Sequence, residues 1–217
     1  MSRLHVFDMD GTLLRGAASV ELSRHLGVYA AARAVEDGWL RGEVGDVEFW
    51  ERMLPLWAGV TDAQVDAAFE AAPWIDGVRD VLADIAARGE HSVVISQSPL
   101  FFVRRLRRWG AGAAYGTVVE PGGHCVEDAL LTAQHKVDIT AGVLDRLGLT
   151  PRECVAYGDS TSDVPLFEWL PHTVAVNAGP AVRRLASSAY DGDDLRGAYR
   201  AGRSLVEPGL EPGPVPA

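Results

Sequence analysis

A chain of 217 residues holds one hydrophobic core with room for a modest insertion, and 47% hydrophobic against 23% charged residues excludes a disordered or fibrous protein. The formal net charge of −10 excludes a broad nucleic-acid footprint, because a phosphate backbone is held by clustered cations. The one basic run, Arg104, Arg105, Arg107 and Arg108, falls among apolar residues at helical spacing and reads as a solvated helix face.

Taken in chain order, the opening Met-Ser-Arg-Leu-His-Val-Phe-Asp has neither the basic segment nor the long apolar stretch of a signal peptide, and no apolar run reaches membrane-spanning length. A cytoplasmic protein without a membrane partner is expected. Leu4, Val6 and Phe7 predict a buried strand that breaks into the turn Asp8-Met-Asp-Gly-Thr. From about Ser19 to Ala72 the spacing of Val20, Leu22, Leu26, Val35, Trp39, Phe49, Trp50, Met53, Val65 and Phe69 is helical, so this stretch reads as a small all-helical insert. Its tryptophans, Trp39, Trp50 and Trp57, read as core packing.

After Pro73-Trp-Ile-Asp-Gly, a helix through Val78, Val81, Leu82 and Ile85 stops at Arg88-Gly89. Strand texture returns in Ser92 to Ser96. A helix is expected from Phe101 to Trp109, a strand from Thr117 to Glu120, a helix from Val137 to Leu147, a strand from Cys154 to Tyr157 and a last strand at Val174 to Val176. The segment from Gly122 to Asp128 reads as a turn with an antiparallel edge hairpin. Strands alternating with helices give the α/β class, a Rossmann-like parallel sheet covered on both faces. The expected division is a discontinuous core of residues 1–14 and 76–206, an insert of 15–75, and a flexible Pro/Gly-rich tail of 207–217. Cys125 and Cys154 are not expected to pair.

Asp8 and Asp10 stand two residues apart at the end of an extended segment, so both side chains address one site. In an open parallel sheet that site lies beyond the carboxyl ends of the strands. Two anionic groups so close need a cation or a shared proton, and hard oxygen ligands favour magnesium. The same two residues would also serve merely to cap the turn, and the dipeptide alone does not choose between these readings.

Phe7-Asp8-Met9-Asp10-Gly11-Thr12-Leu13 resembles the first motif of the haloacid dehalogenase-like hydrolases. Val94-Ile95-Ser96 resembles the second, Lys136 stands where the third-motif lysine is expected, and Gly158-Asp159-Ser160-Thr161-Ser162-Asp163 resembles the acidic fourth. The spacing is similar to that of the phosphoserine phosphatase-like subfamily, whose small helical cap occupies the position of the insert. The resemblance implies a phosphomonoesterase with Asp8 as covalent nucleophile and Asp10 as general acid and base. It implies Mg2+ on the Asp8 carboxylate, the Asp10 backbone carbonyl and Asp159, phosphate contacts from Ser96 and Lys136, and support from Asp163, Thr12 and Gly11. The expected partner is a small-molecule phosphate ester, and the expected assembly a monomer or homodimer.

Phosphoserine phosphatases of this kind carry a glutamate shortly after the first motif and a cap arginine. Here Arg15-Gly-Ala-Ala-Ser has no acidic residue, Arg41 and Arg52 are out of register, and Gln97-Ser98-Pro99 replaces a glycine pair. Phosphoserine therefore lacks its expected contacts, and a sugar, cyclitol or amino-alcohol phosphate fits the small cap better. His5, His25, His91, His124, His135 and His172 have no metal-ligand spacing and read as surface or turn residues. The alternatives are a phosphotransferase or phosphomutase on the same fold, and a non-catalytic module that binds a phosphorylated ligand.

Overall fold

The computed structural model describes residues 2–207. Six strands form one sheet: β1 (Leu4–Phe7), β2 (His91–Pro99), β3 (Ala113–Thr117), β4 (Cys154–Gly158), β5 (Thr173–Val176) and β6 (Ser188–Tyr190). Their order is β3-β2-β1-β4-β5-β6, and every pairing is parallel. The chain moves outward from β1 to β3 and then returns to place β4 on the other side of β1. The β1/β4 junction is thus the switch point, where an open sheet of this kind leaves a crevice at its carboxyl edge. Register levels the two tips there, with Phe7 opposite both Val94 and Tyr157.

Alternation along β1 distributes the core. Leu4 and Val6 face a layer containing Val143, Leu144, Leu166, Phe167 and Val182, supplied by α7 (Ala133–Leu147), α8 (Val164–Trp169) and α9 (Pro180–Leu185). Phe7 faces the other way, onto α5 (Val78–Ala87) and α10 (Leu195–Val206). Both faces are covered, as buried parallel strands require.

Between β1 and α5 lie α1 (Ala18–His25), α2 (Tyr29–Leu40), α3 (Asp46–Met53) and α4 (Asp62–Ala71), with a 3₁₀ turn at Leu54–Trp57. Their apolar faces join the Phe7 layer in one continuous core. Trp57 meets Phe101 edge-on, and Phe69 packs on Phe102 and Trp109. The tryptophans are packing residues here, as their spacing predicts.

Several local expectations change. The third strand runs over Ala113–Thr117 rather than Thr117 to Glu120. Its alanines and glycine carry no β-propensity, yet small residues are needed, because a Cβ on Gly116 would sit 2.7 Å from the Ser98 carbonyl oxygen. The expected hairpin at 122–128 is a loop with a 3₁₀ turn at Glu127–Ala129, tied to the insert by Gly122 N–H donating to the Leu54 carbonyl. The helix expected from Phe101 to Trp109 is one α-turn, α6 (Leu100–Val103), continued as 3₁₀ through Arg104–Trp109. Strand β6 is short enough to escape a periodicity reading. The arginine run is not wholly solvated either: Arg105 is buried and donates to the Phe101 carbonyl and to Asp62 and Asp66 of α4. Cys125 and Cys154 are free. In the expected tail, Glu207 pairs with Arg3 and Arg203; residues 208–217 lie outside the described residues.

His5 is not a surface residue. Fully buried, it bonds Tyr157 Oη at 3.1 Å and Glu90 at 3.0 Å, and Glu90 accepts from Arg203 of α10 at 2.8 Å. This polar cluster ties the last helix to β1 and to the residue that precedes β2. Breaking a buried pair strands a charge, so Arg203→Met is expected to cost about 3 kcal/mol in chemical denaturation, and a change below about 0.5 kcal/mol would show the cluster to be energetically idle.

Burial holds His5 below its ordinary 6.5. For Glu90, burial opposes ionisation, but hydrogen bonds from His5 and Arg203 outweigh it and lower the group to about 2. Both groups bind protons more weakly folded than unfolded, so both contributions are complete above their unfolded values and are lost as pH falls. A His5→Phe/Glu90→Gln double variant is therefore expected to be less stable at pH 7 yet to lose less stability than the native chain between pH 6.5 and pH 3. Parallel stability-versus-pH curves would refute this.

Candidate active site

Asp8 leaves β1 at the switch point, its N–H donating to the Tyr157 carbonyl at 2.9 Å. Asp159 leaves the neighbouring tip of β4. The crossing between them is tight: Gly11 has φ +81°, and a Cβ there would lie 2.1 Å from Asp159 Oδ2. Only glycine satisfies both the left-handed backbone and this close approach. Thr12 then fixes Asp159 by donating from Oγ1 to Oδ1 at 3.1 Å.

Asp163 folds back over the β4 tip. Its Oδ2 accepts from the N–H groups of Asp159 and Ser160 at 3.1 and 3.2 Å. Gly158 makes room for it, since a Cβ there would come within 2.3 Å of the Asp163 Cγ. One carboxylate oxygen each from Asp8, Asp159 and Asp163 lies within 4.8 Å of the others.

Lys136 enters from the first turn of α7. Thr132 caps that helix by accepting from the His135 N–H, while His135 Nδ1 accepts from the Thr132 N–H in return. The ammonium is 1% exposed and reaches Asp8 Oδ1 at 2.8 Å, Asp163 Oδ1 at 2.7 Å and Ser162 Oγ at 2.9 Å. Burial alone would lower the Lys136 pKa, but Asp8 and Asp163 outweigh it and drive the group upward, so it stays charged.

One ammonium does not balance three carboxylates. Asp8 is pushed well above the carboxylate range, first by burial and then by repulsion from Asp163, Asp159 and Asp10, against the pull of Lys136. Asp159 is raised to about 7 by burial and by Asp163. A set of hard oxygens with excess negative charge at a strand-tip crevice fits a divalent cation.

Asp10 stands apart from this set. Its Oδ1 accepts from the Ala18 N–H at the start of α1 at 2.7 Å, and its Oδ2 accepts from Ser96 Oγ at 2.8 Å. Burial raises its pKa, partly opposed by those two bonds. Ser96 also accepts from the Ser98 N–H at 3.0 Å. The structure thus gathers Asp8, Asp10, Gly11, Thr12, Ser96, Lys136, Asp159 and Asp163 at one end of the sheet. The Asp10 carboxylate, however, faces Ser96 and α1 rather than the other three acids.

Two residues escaped the sequence reading. Ser162 was only part of a motif, and its contact with Lys136 depends on a helix 26 residues upstream. Glu36, on α2, is buried, bonds Ser19 Oγ at 3.1 Å, and has its pKa raised chiefly by burial, with Asp10 adding repulsion. No spacing signal links it to the first motif. Arg41 and Arg52, by contrast, are exposed and pair with Glu43 and Glu48.

Comparison with known proteins places this geometry. A phosphoserine phosphatase from Archaeoglobus fulgidus is 25% identical over 200 residues, covering 90% of this chain and 58% of that protein. One from Idiomarina loihiensis is 23% identical over 199 residues, covering 89% and 90%. Among solved structures, a phospho-aspartyl intermediate analogue of phosphoserine phosphatase superposes with a TM-score of 0.73 at 20% identity, covering 90% of this chain and 96% of that one. A HAD family hydrolase from Salmonella enterica serovar Typhi gives 0.80 at 23% identity, covering 95% and 72%. The family model described as haloacid dehalogenase-like hydrolase matches residues 5–168, a span that opens in β1 ahead of Asp8 and closes beyond Asp163. With its strand-tip acids, buried lysine and strands β2 to β4 inside that match, the chain belongs to the haloacid dehalogenase-like hydrolases.

Proposed function

We propose that this chain is a magnesium-dependent phosphomonoesterase that hydrolyses a small-molecule phosphate ester through an aspartyl-phosphate on Asp8. The observation that carries the reading is the division of labour between two carboxyls of one turn. Asp8 touches the ammonium and the acid cluster, while Asp10 is held apart by Ser96 and the start of α1. The relatives named phosphoserine phosphatases support the reaction class.

In the first half-reaction an Asp8 carboxylate oxygen bonds to phosphorus as the ester P–O bond breaks, and Asp10 gives its proton to the departing alkoxide. In the second, water attacks the same phosphorus, Asp10 takes the proton, and the Asp8–phosphorus bond breaks to release phosphate. A carboxyl whose pKa is raised by burial, as in Asp10, suits both roles. Lys136 meets the phosphoryl oxygens, and the Ser96 hydroxyl joins it there by giving up the bond it donates to Asp10. Asp8, Asp159 and the Asp10 backbone carbonyl would hold Mg2+, which supplies charge neutralisation and in-line alignment when bound. Asp163 anchors Lys136, and Thr12 and Gly11 keep Asp159 in place.

Residues 15–75 serve as the cap that encloses the substrate. With Arg41 and Arg52 engaged at the surface, neither meets a substrate carboxylate. A phosphorylated alcohol without that group is the better substrate, and a panel that includes phosphoserine decides the point. No helix among the described residues is long and apolar enough to cross a membrane. The enzyme acts in the cytoplasm as a monomer or homodimer.

Asp8→Asn is expected to lower the hydrolysis of p-nitrophenyl phosphate by roughly a thousandfold or more, and a chelator should silence the native enzyme until Mg2+ is restored. A folded Asp8→Asn protein with normal turnover would end the nucleophile assignment. Asp10→Asn should cost an alkyl phosphate more than an aryl one, because the aryl leaving group departs without a proton; general acid catalysis is worth about 10²–10⁴-fold. Equal losses on the two substrates would remove Asp10 from that role.

A further inference from the structure

Lys136 has three N–H donors and no acceptor, and all three are already spoken for. Asp8 Oδ1 takes one at 2.8 Å, Asp163 Oδ1 one at 2.7 Å and Ser162 Oγ the third at 2.9 Å. At 1% exposure the ammonium has no water to trade. A phosphoryl oxygen that reaches Nζ must therefore replace one of these partners.

The three are not equivalent. Asp8 and Asp163 are buried carboxylates, and giving up either would leave a buried charge without its partner. Ser162 is neutral and half-buried, so it stands on the solvent side of the ammonium. Its hydroxyl is not orphaned by the exchange, because Ser160 Oγ lies 3.0 Å away. Asp163 would meanwhile keep its own bonds to the Asp159 and Ser160 N–H groups, so the exchange leaves the turn intact.

We propose that Ser162 is a positioning residue that occupies the third donor of Lys136 in the free enzyme and yields that place to a phosphoryl oxygen. The hydroxyl aims the ammonium at the site while it is empty of substrate, and it competes with the incoming phosphate for the same proton. This rests on the assignment of Lys136 to phosphate binding made above. Its signature is a substitution that strengthens ligand binding, which loss of a merely structural contact does not produce.

The test is titration of inorganic phosphate by calorimetry, with and without Mg2+, on the native chain and on Ser162→Ala, Ser162→Thr and Lys136→Met. Exchanging one neutral hydrogen-bond partner corresponds to roughly three- to tenfold in affinity. Ser162→Ala is expected to bind phosphate tighter by that factor and to lower KM for p-nitrophenyl phosphate with kcat little changed. Ser162→Thr, which keeps the hydroxyl, should restore native affinity. Unchanged or weaker phosphate binding by folded Ser162→Ala would overturn the proposal. Lys136→Met should abolish phosphate binding; native affinity there would instead refute the phosphate-site assignment on which the proposal rests.

Discussion

Everything at the functional end of this molecule answers to one electrostatic constraint: three carboxylates from two adjacent strand tips share a buried pocket with a single ammonium. Lys136 balances part of that charge, and burial, with repulsion among the acids added to it, raises the pKa values of Asp8 and Asp159. Like charges this close persist in a folded protein only where a bound cation or proton compensates. The acids are packed in place as well, since the backbone at Gly11 and Gly158 lies directly against the Asp159 and Asp163 carboxylates. The pairing register of β1 and β4 levels their tips, so that Asp8 and Asp159 leave the sheet side by side.

The architecture was largely legible before the structure. The apolar run before Asp8, the strand at Ser92 to Ser96 and the acid-terminated strand at Cys154 to Tyr157 are long or hydrophobic enough to announce themselves, and they are three adjacent interior strands. What was missed lies at the edges. Strand β3 has two alanines and a glycine among its five residues, and the close approach of Gly116 to the Ser98 carbonyl leaves no room for the larger side chains that carry a strand signal. Strand β6 covers only three residues. Arg105 and His5 are charged or polar residues that became core because partners distant in sequence, Asp66 for one and Glu90 for the other, met them there; single-chain periodicity does not report such pairings.

At the site, residue types in motifs were readable and relations among them were not. Asp8, Asp10, Ser96, Lys136, Asp159 and Asp163 all come together, but the sequence does not say which way each side chain turns. Asp10 and Asp8 share a turn yet face different partners, and Ser162 becomes the third contact of Lys136. Glu36 arrives from a helix of the insert with no motif around it. Its burial on a helix packed between α1 and α3 is a property of the assembled insert rather than of local sequence.

The bond from the Ala18 N–H to Asp10 couples the insert to the acid pair of the first turn. Ala18 opens α1, and α1 packs into the same continuous core as the rest of the insert and the sheet. The Asp10 carboxyl is thus moored to the insert as well as to the sheet that carries it. Because that bond lowers the Asp10 pKa against the upward push of burial, any substitution that shifts the start of α1 alters the acidity of a carboxyl in the sheet crevice without touching the three acids gathered around Lys136.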